Sequence, residues 1–219
     1  RQRQMCIRDR PNTKRYASLI THMDAAIGRL LNELEQLNLR KNTLIIFASD
    51  NGAAIQAPIK ILNCNAGFKG RKGTLYEGGI RVPFIVNQPG MVPIQTLDNL
   101  IYFPDMMPTL AALAKGTKHL PKQINGINIL PLFYGKQVDT DNRLLYWEFP
   151  GKQRAARKGD WKCVTIDPNQ PLELYNLKED PEETNNLAKK YPRRVKEFDE
   201  EMQRMHIPTP NWPQPGEQF

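Results

Sequence analysis

Asp50 and Asn51 close an apolar run, Thr43-Leu44-Ile45-Ile46-Phe47-Ala48, and Gly52 follows at once. A carboxylate and an amide oxygen are donor types that Ca²⁺ or Mg²⁺ accepts. Further on stands Gly70-Arg71-Lys72-Gly73-Thr74-Leu75-Tyr76-Glu77-Gly78-Gly79-Ile80-Arg81-Val82-Pro83. Lys72 offers a compact charge with three donors, suited to a tetrahedral oxyanion. The glycines around it let backbone approach a ligand closely. Together the two stretches read as half of a site that holds an oxyanion against a divalent cation. Each also has a plainer reading. Asn51-Gly52 is a common hairpin dipeptide, although Ala53 to Pro58 does not alternate as a returning strand should. Lys69, Arg71 and Lys72 equally describe a solvated basic loop. The stretch is not a Walker A loop, because no Gly-Lys-Ser/Thr triplet closes it.

The elements that must position these residues are legible in outline. The run from Thr43 to Ala48 suits a strand buried on both faces, as in a parallel sheet. Ligands gather at the carboxyl ends of such strands, where Asp50 and Asn51 lie. Leu19, Met23, Ala26, Ile27, Leu30, Leu31, Leu34 and Leu37 recur at helical spacing, which predicts a helix over 16–37. It leads into the strand as an α-to-β step. His22 on that helix reads as a surface or packed histidine. Val82 to Asn87 predicts a second buried strand. Pro104 and Pro108 bracket the start of a helix within 102–114, with Asp105 as its cap. Residues 116–135 are loop-rich. Four short runs then follow, Leu144 to Phe149, Gln153 to Lys158, Trp161 to Ile166 and Glu173 to Tyr175. They predict an antiparallel sheet of about four strands. Val195, Phe198, Met202 and Met205 predict the buried stripe of a final helix over 193–205. The tail from Pro208 to Phe219 reads as extended.

The chain has 219 residues, enough for one core and a small appendage, and its net charge is +8. Residues 1–10 hold four arginines against one aspartate, lack periodicity, and read as a non-native or artefactual leader. The division that follows is 1–10, then 11–140 as an α/β unit, then 141–219 as an antiparallel-sheet-plus-helix subdomain with its tail. No apolar run approaches the length of a bilayer span. Cys6, Cys64 and Cys163 make neither a zinc spacing nor an even disulfide set. Cys64 and Cys163 read as buried or half-buried thiols. Aromatic residues are 8% and do not interleave with the basic ones as stacking platforms for nucleic acid would.

The order Ser49-Asp50-Asn51-Gly52, then Lys72-Gly73-Thr74-Leu75-Tyr76-Glu77-Gly78-Gly79-Ile80-Arg81-Val82-Pro83, closely resembles the formylglycine-dependent sulfatases of arylsulfatase type, within the alkaline-phosphatase superfamily. The resemblance continues through Tyr102 to Leu110, Arg157-Lys158-Gly159-Asp160-Trp161-Lys162, Glu173 to Leu177 and Asp180 to Leu187. It implies the C-terminal part of a mixed or parallel sheet flanked by helices, with a small α+β subdomain. It implies Asp50 and Asn51 as ligands of Ca²⁺, with Mg²⁺ as the alternative, and Lys72 as the catalytic residue that binds a sulfate oxygen. A formylglycine nucleophile would come from a Cys/Ser-x-Pro-x-Arg motif. That motif is expected in a missing N-terminal half, as are the family's aspartate pair, histidines and second lysine. Cys6-Ile7-Arg8-Asp9-Arg10 has the Cys-to-Arg spacing but an arginine where the proline belongs, and reads as coincidence.

The activity so implied is hydrolysis of an aryl or, more in keeping with Glu148 to Lys162, a carbohydrate sulfate ester. Arg154 and Arg157, with Lys158, are candidates to touch a charged sugar, or else form a solvated strand face. The expected partner is a sulfated small molecule or glycan, with no nucleic acid and no membrane span. Family likeness places the protein in the periplasm or outside the cell. Two alternatives stand beside this reading: a phosphodiesterase or phosphonate hydrolase of the same superfamily, and a non-catalytic basic anion-binding module. Alone, the 219 residues are expected to be inactive, to bind calcium poorly and to expose apolar surface.

Overall fold

The structure is a computed structural model and describes residues 11–149 and 153–210. The proposed leader 1–10, Cys6 and its decoy motif, and the end of the tail lie outside the described residues.

A long helix opens the fold, α1 (Pro11–Gln36). The predicted helix forms and begins five residues earlier than its apolar periodicity suggested. Its leucines find little cover here: Leu19 and Leu30 are exposed, and Thr13 is its buried residue. A 3-10 turn (Arg40–Asn42) leads into β1 (Ile45–Ala48). Two short helices follow, α2 (Ile59–Leu62) and α3 (Glu77–Ile80), then β2 (Phe84–Asn87).

The pairing of β1 differs from the parallel, doubly buried arrangement expected for it. It pairs with β2, antiparallel, with Ile46 opposite Val86 and Ala48 opposite Phe84. All four residues of β1 are half-buried, and β2 alternates between half-buried and exposed. Side chains of period two explain this. Ile46, Phe84 and Val86 pack against Ile129, Leu132 and Phe133, while Ile85 on the other face is exposed. The glycine- and proline-rich stretch read as loop thus supplies the centre of this cluster, through α5 (Leu130–Phe133). Before it comes α4 (Met106–Leu113), preceded by a 3-10 turn (Phe103–Asp105).

Asp105 does more than cap. Its side chain makes no capping bond to α4; it reaches back to the Tyr102 N–H at 3.0 Å and across to the Ile127 N–H at 2.9 Å. Arg143 closes a two-pronged ion pair on it, at 2.5 and 2.6 Å. A fully buried carboxylate needs such complete pairing.

The second unit matches its reading closely. Strands β3 (Leu144–Phe149), β4 (Gln153–Lys158), β5 (Trp161–Thr165) and β6 (Glu173–Asn176) form one antiparallel sheet in sequence order. The helix α6 (Pro192–Met205) lies on one face, its Phe198 and Met202 packed with Ala156, Cys163 and Leu174. Ala155, Val164 and Tyr175, one residue along each strand, point to the other face. There they meet Leu75, Tyr76 and Ile80 of the glycine-rich stretch. The sheet is therefore a partition, with a helix on one side and the lysine-bearing loop on the other. Cys163 is buried, which pushes its thiol up to about 12, and Cys64 is half-buried. No described helix is long and apolar enough to cross a membrane.

Candidate active site

Asp50 and Asn51 sit just past the end of β1, as the apolar run foretold, and the Asn-Gly pair does not turn a hairpin, since β1 finds its partner at Phe84–Asn87. The Asn51 amide donates to Asp50 Oδ1 at 2.6 Å, which leaves the amide oxygen as the residue's own lone-pair donor. Ser49 Oγ donates to the Asn51 carbonyl at 2.8 Å and pins the same turn.

Two backbone hydrogen bonds join this turn to the glycine-rich loop. Gly52 N–H donates to Gly79 O at 2.9 Å, and Lys72 N–H donates to Ala53 O at 2.9 Å. So close an approach requires glycine at position 52, where a Cβ would lie 1.9 Å from Gly78 O; a Cβ on Gly79 would instead meet its own loop, 2.0 Å from Thr74 O. The backbone at Lys72 thus runs beside the residue that follows Gly52. Asp50 and Lys72 are exposed, Asn51 half-buried.

The loop that carries Lys72 is held by the sheet behind it. Gln153 Nε2 donates to Gly73 O at 3.0 Å. Lys69 Nζ lies over the Tyr76 ring at 4.0 Å and donates to Tyr175 Oη at 2.9 Å. Tyr76 and Tyr175 hydroxyls both donate to Glu173 Oε2, at 2.7 and 2.6 Å. Burial alone would push the Glu173 carboxyl up, but the bonds from Tyr175, Tyr76 and Lys69 outweigh it and hold the group below its ordinary value. Lys69 is thereby committed to this cluster, which is why it and Lys72 differ despite their similar setting in sequence.

Deeper lies an ionic cluster that the sequence reading missed. Lys162 is 0% exposed, with its ammonium 2.9 Å from Glu77 Oε1 and 2.9 Å from Glu183 Oε1. Glu183 Oε2 accepts the Glu77 N–H at 2.7 Å. Burial pushes the Glu183 carboxyl up, against the pull of Lys162. Nothing local marks Lys162 as internal. Its signal was register: it shares strand parity with Val164, which faces the loop.

The same parity separates the two candidate arginines. Arg154 points to the helix side, where it pairs with Asp199 at 3.3 Å. Arg157 points to the loop side, donates to Gly159 O at 3.0 Å and stands 3.8 Å from Glu77 Oε2. Burial lowers the pKa of its guanidinium. Lys158 is exposed.

The donor set at Asp50 and Asn51 fits a hard divalent cation in kind, being all oxygen. It does not fill a coordination shell, and among the described residues no group of three or more His, Cys, Asp or Glu gathers that could hold a metal ion.

The chain is similar to known proteins along most of its length. The family described as Sulfatase matches residues 2–117, and the one described as N-sulphoglucosamine sulphohydrolase, C-terminal, matches residues 68–207. A protein named Sulfatase from Formosa agariphila is 32% identical over 81% of this chain and 36% of its own length. The N-acetylgalactosamine-6-O-sulfatase of Bacteroides thetaiotaomicron is 30% identical over 83% of this chain and 40% of its own. The crystal structure of Ps i-CgsB in complex with k-i-k-neocarrahexaose superposes with a TM-score of 0.80 at 26% identity, over 95% of this chain and 46% of that one. The chain therefore spans about two fifths of the length of the relatives it matches. With the glycine-rich loop, the acid–amide turn and the C-terminal sheet all falling inside these matches, the chain belongs to the sulfatase family.

Proposed function

We propose that this chain supplies the C-terminal portion of an enzyme that hydrolyses sulfate esters, preferentially of carbohydrates. The observation that carries the reading is the pair of backbone hydrogen bonds tying the Asp50-Asn51-Gly52 turn to the loop of Lys72. It supports an arrangement in which hard-oxygen donors and a lysine serve one anion. Lys72 binds a sulfate oxygen and offsets the charge that builds on it as the ester bond breaks. Asp50 and Asn51 supply oxygens to a cation, Ca²⁺ ahead of Mg²⁺. Such a cation, when bound, polarises the sulfate group and orients it. The formylglycine expected of the family, with the remaining metal ligands, would come from chain outside these 219 residues.

Residues 11–140 then complete the catalytic α/β unit and 141–219 form the subdomain that buttresses it. Of the two arginines, a glycan contact is proposed for Arg157 alone, since it lies on the loop side of the sheet. The sugar specificity of the Bacteroides relative supports a glycan substrate. A periplasmic or secreted location suits such a substrate.

The test is hydrolysis by the full-length protein of a sulfated monosaccharide, an aryl sulfate and an aryl phosphate diester, with calcium and with chelator. Calcium-dependent sulfate release is expected, and Lys72→Ala is expected to lower kcat/KM about a hundredfold. Faster turnover of the phosphate diester would overturn the proposal in favour of a phosphodiesterase.

A further inference from the structure

We propose that the buried Lys162–Glu77–Glu183 cluster is a positioning device for Lys72, by which the C-terminal sheet fixes the loop that meets the substrate anion; this rests on the sulfate-ester reading of Lys72.

Three observations carry it. First, the cluster is an expensive way to fill a core. An ammonium with no solvent exposure between two buried carboxylates loses its hydration, and well-packed apolar residues are often as stabilising. Ionic pairing does fix direction and register where apolar contact would allow sliding.

Second, both carboxylates act on the loop. Glu77 lies five residues beyond Lys72 and opens α3, whose Gly79 carbonyl receives the Gly52 N–H. Glu183 holds the Glu77 N–H directly. The route from Lys162 to the turn that bears Asp50 is thus short and made wholly of charged contacts and backbone.

Third, Glu183 adopts φ of 57°, left-handed backbone that a non-glycine residue occupies at a cost. Asp180 supports the turn, its two oxygens accepting the Thr184 and Asn185 N–H groups at 3.0 and 2.8 Å. A strained turn held by a dedicated aspartate delivers this one carboxylate into the core. Gln153 on the same sheet face grips the carbonyl of Gly73, the residue next to Lys72, so the sheet holds the segment that follows Lys72 at both Gly73 and Glu77. A displacement of about 1 Å in such a group can cost about a hundredfold in rate.

The experiment compares wild type, Lys162→Met, Lys72→Ala and the double variant in the full-length protein. One readout is amide hydrogen exchange, the other is kcat/KM on a sulfated monosaccharide. Lys162→Met is expected to lose more protection at the Lys72, Gly78 and Gly79 amides than at the β4–β5 amides, whose loss follows global stability alone. Its kcat/KM is expected to fall at least about tenfold, and by little or nothing further when Lys72 is already alanine, as for residues acting through one another. Undiminished loop protection, or losses that simply multiply in the double variant, would overturn the proposal. If Lys162→Met does not fold, the triple variant Lys162→Met, Glu77→Gln, Glu183→Gln, which removes the cluster's charges together, is judged by the same two readouts. A wild type inert on every sulfate ester would defeat the functional reading, and the exchange measurement would still decide whether the cluster fixes the loop.

Discussion

The sheet of β3 to β6 and the ribbon of β1 and β2 are both built from short antiparallel strands and end up in different circumstances. In the sheet, Leu145, Ala155, Ala156, Cys163, Val164 and Leu174 have no solvent exposure. In the ribbon every residue of β1 keeps partial exposure, and α1, which precedes it in the chain, turns Leu19 and Leu30 to water. The difference is one of neighbours. The sheet is covered on both faces by segments within the chain, namely α6 and the glycine-rich loop. The ribbon has α5 on one face only. An apolar pattern states what an element can bury, and only a partner determines whether it does.

The sharpest break of that comparison comes from charge in the covered region. Lys162→Met strands two buried carboxylates and is expected to cost about 3–5 kcal/mol. Urea unfolding followed by tryptophan fluorescence reads it, and adding Glu77→Gln and Glu183→Gln should restore most of the loss. Next, Phe198→Ala should cost about 3 kcal/mol by opening a cavity beneath α6. The matching Leu30→Ala on α1, where the side chain is 60% exposed, should change stability by no more than about 0.5 kcal/mol. Equal losses at the two sites would erase the distinction between the regions.

Gly52→Ala probes the seam between them. The added methyl runs into Gly78 O, so a loss of about 2 kcal/mol is expected. The Lys72 amide should lose exchange protection with it. The smallest effect is one of pH. The Glu173 carboxyl is held below its ordinary value of 4.5, so its contribution to stability is present above that pH and fades as pH falls through the lowered value. Glu173→Gln should flatten the stability profile in that acid range, read by the unfolding midpoint across pH.

The local elements of both regions were legible in the sequence. The strand limits of the second unit are right to within a residue or so, and Val195, Phe198 and Met202 marked the inner face of α6. These signals are local, set by periodicity and turn residues. What escaped was set by distant partners. The antiparallel pairing of Ile46 with Val86 depends on a chain reversal forty residues long. The core role of Ile129, Leu132 and Phe133 is hidden in a stretch rich in loop formers. Lys162 looks like any solvated strand lysine until Glu77 and Glu183 are in place. At the site, Asp50, Asn51 and Lys72 were singled out by residue type, whereas the hydrogen bonds linking their loops and the diversion of Lys69 into the Glu173 cluster needed coordinates.

The contact between Gly52 and Gly78–Gly79 works as a weld. Because no atom can be inserted there, the distance separating the acid–amide turn from the lysine segment is immune to drift in the surface around it. Altered substrate range should therefore arise from changes at the exposed rim. Libraries that hold residues 52, 78 and 79 constant while randomising exposed neighbours such as Ile55 and Arg71 can test the proposed sugar substrates without disturbing the spacing on which the proposed anion binding depends.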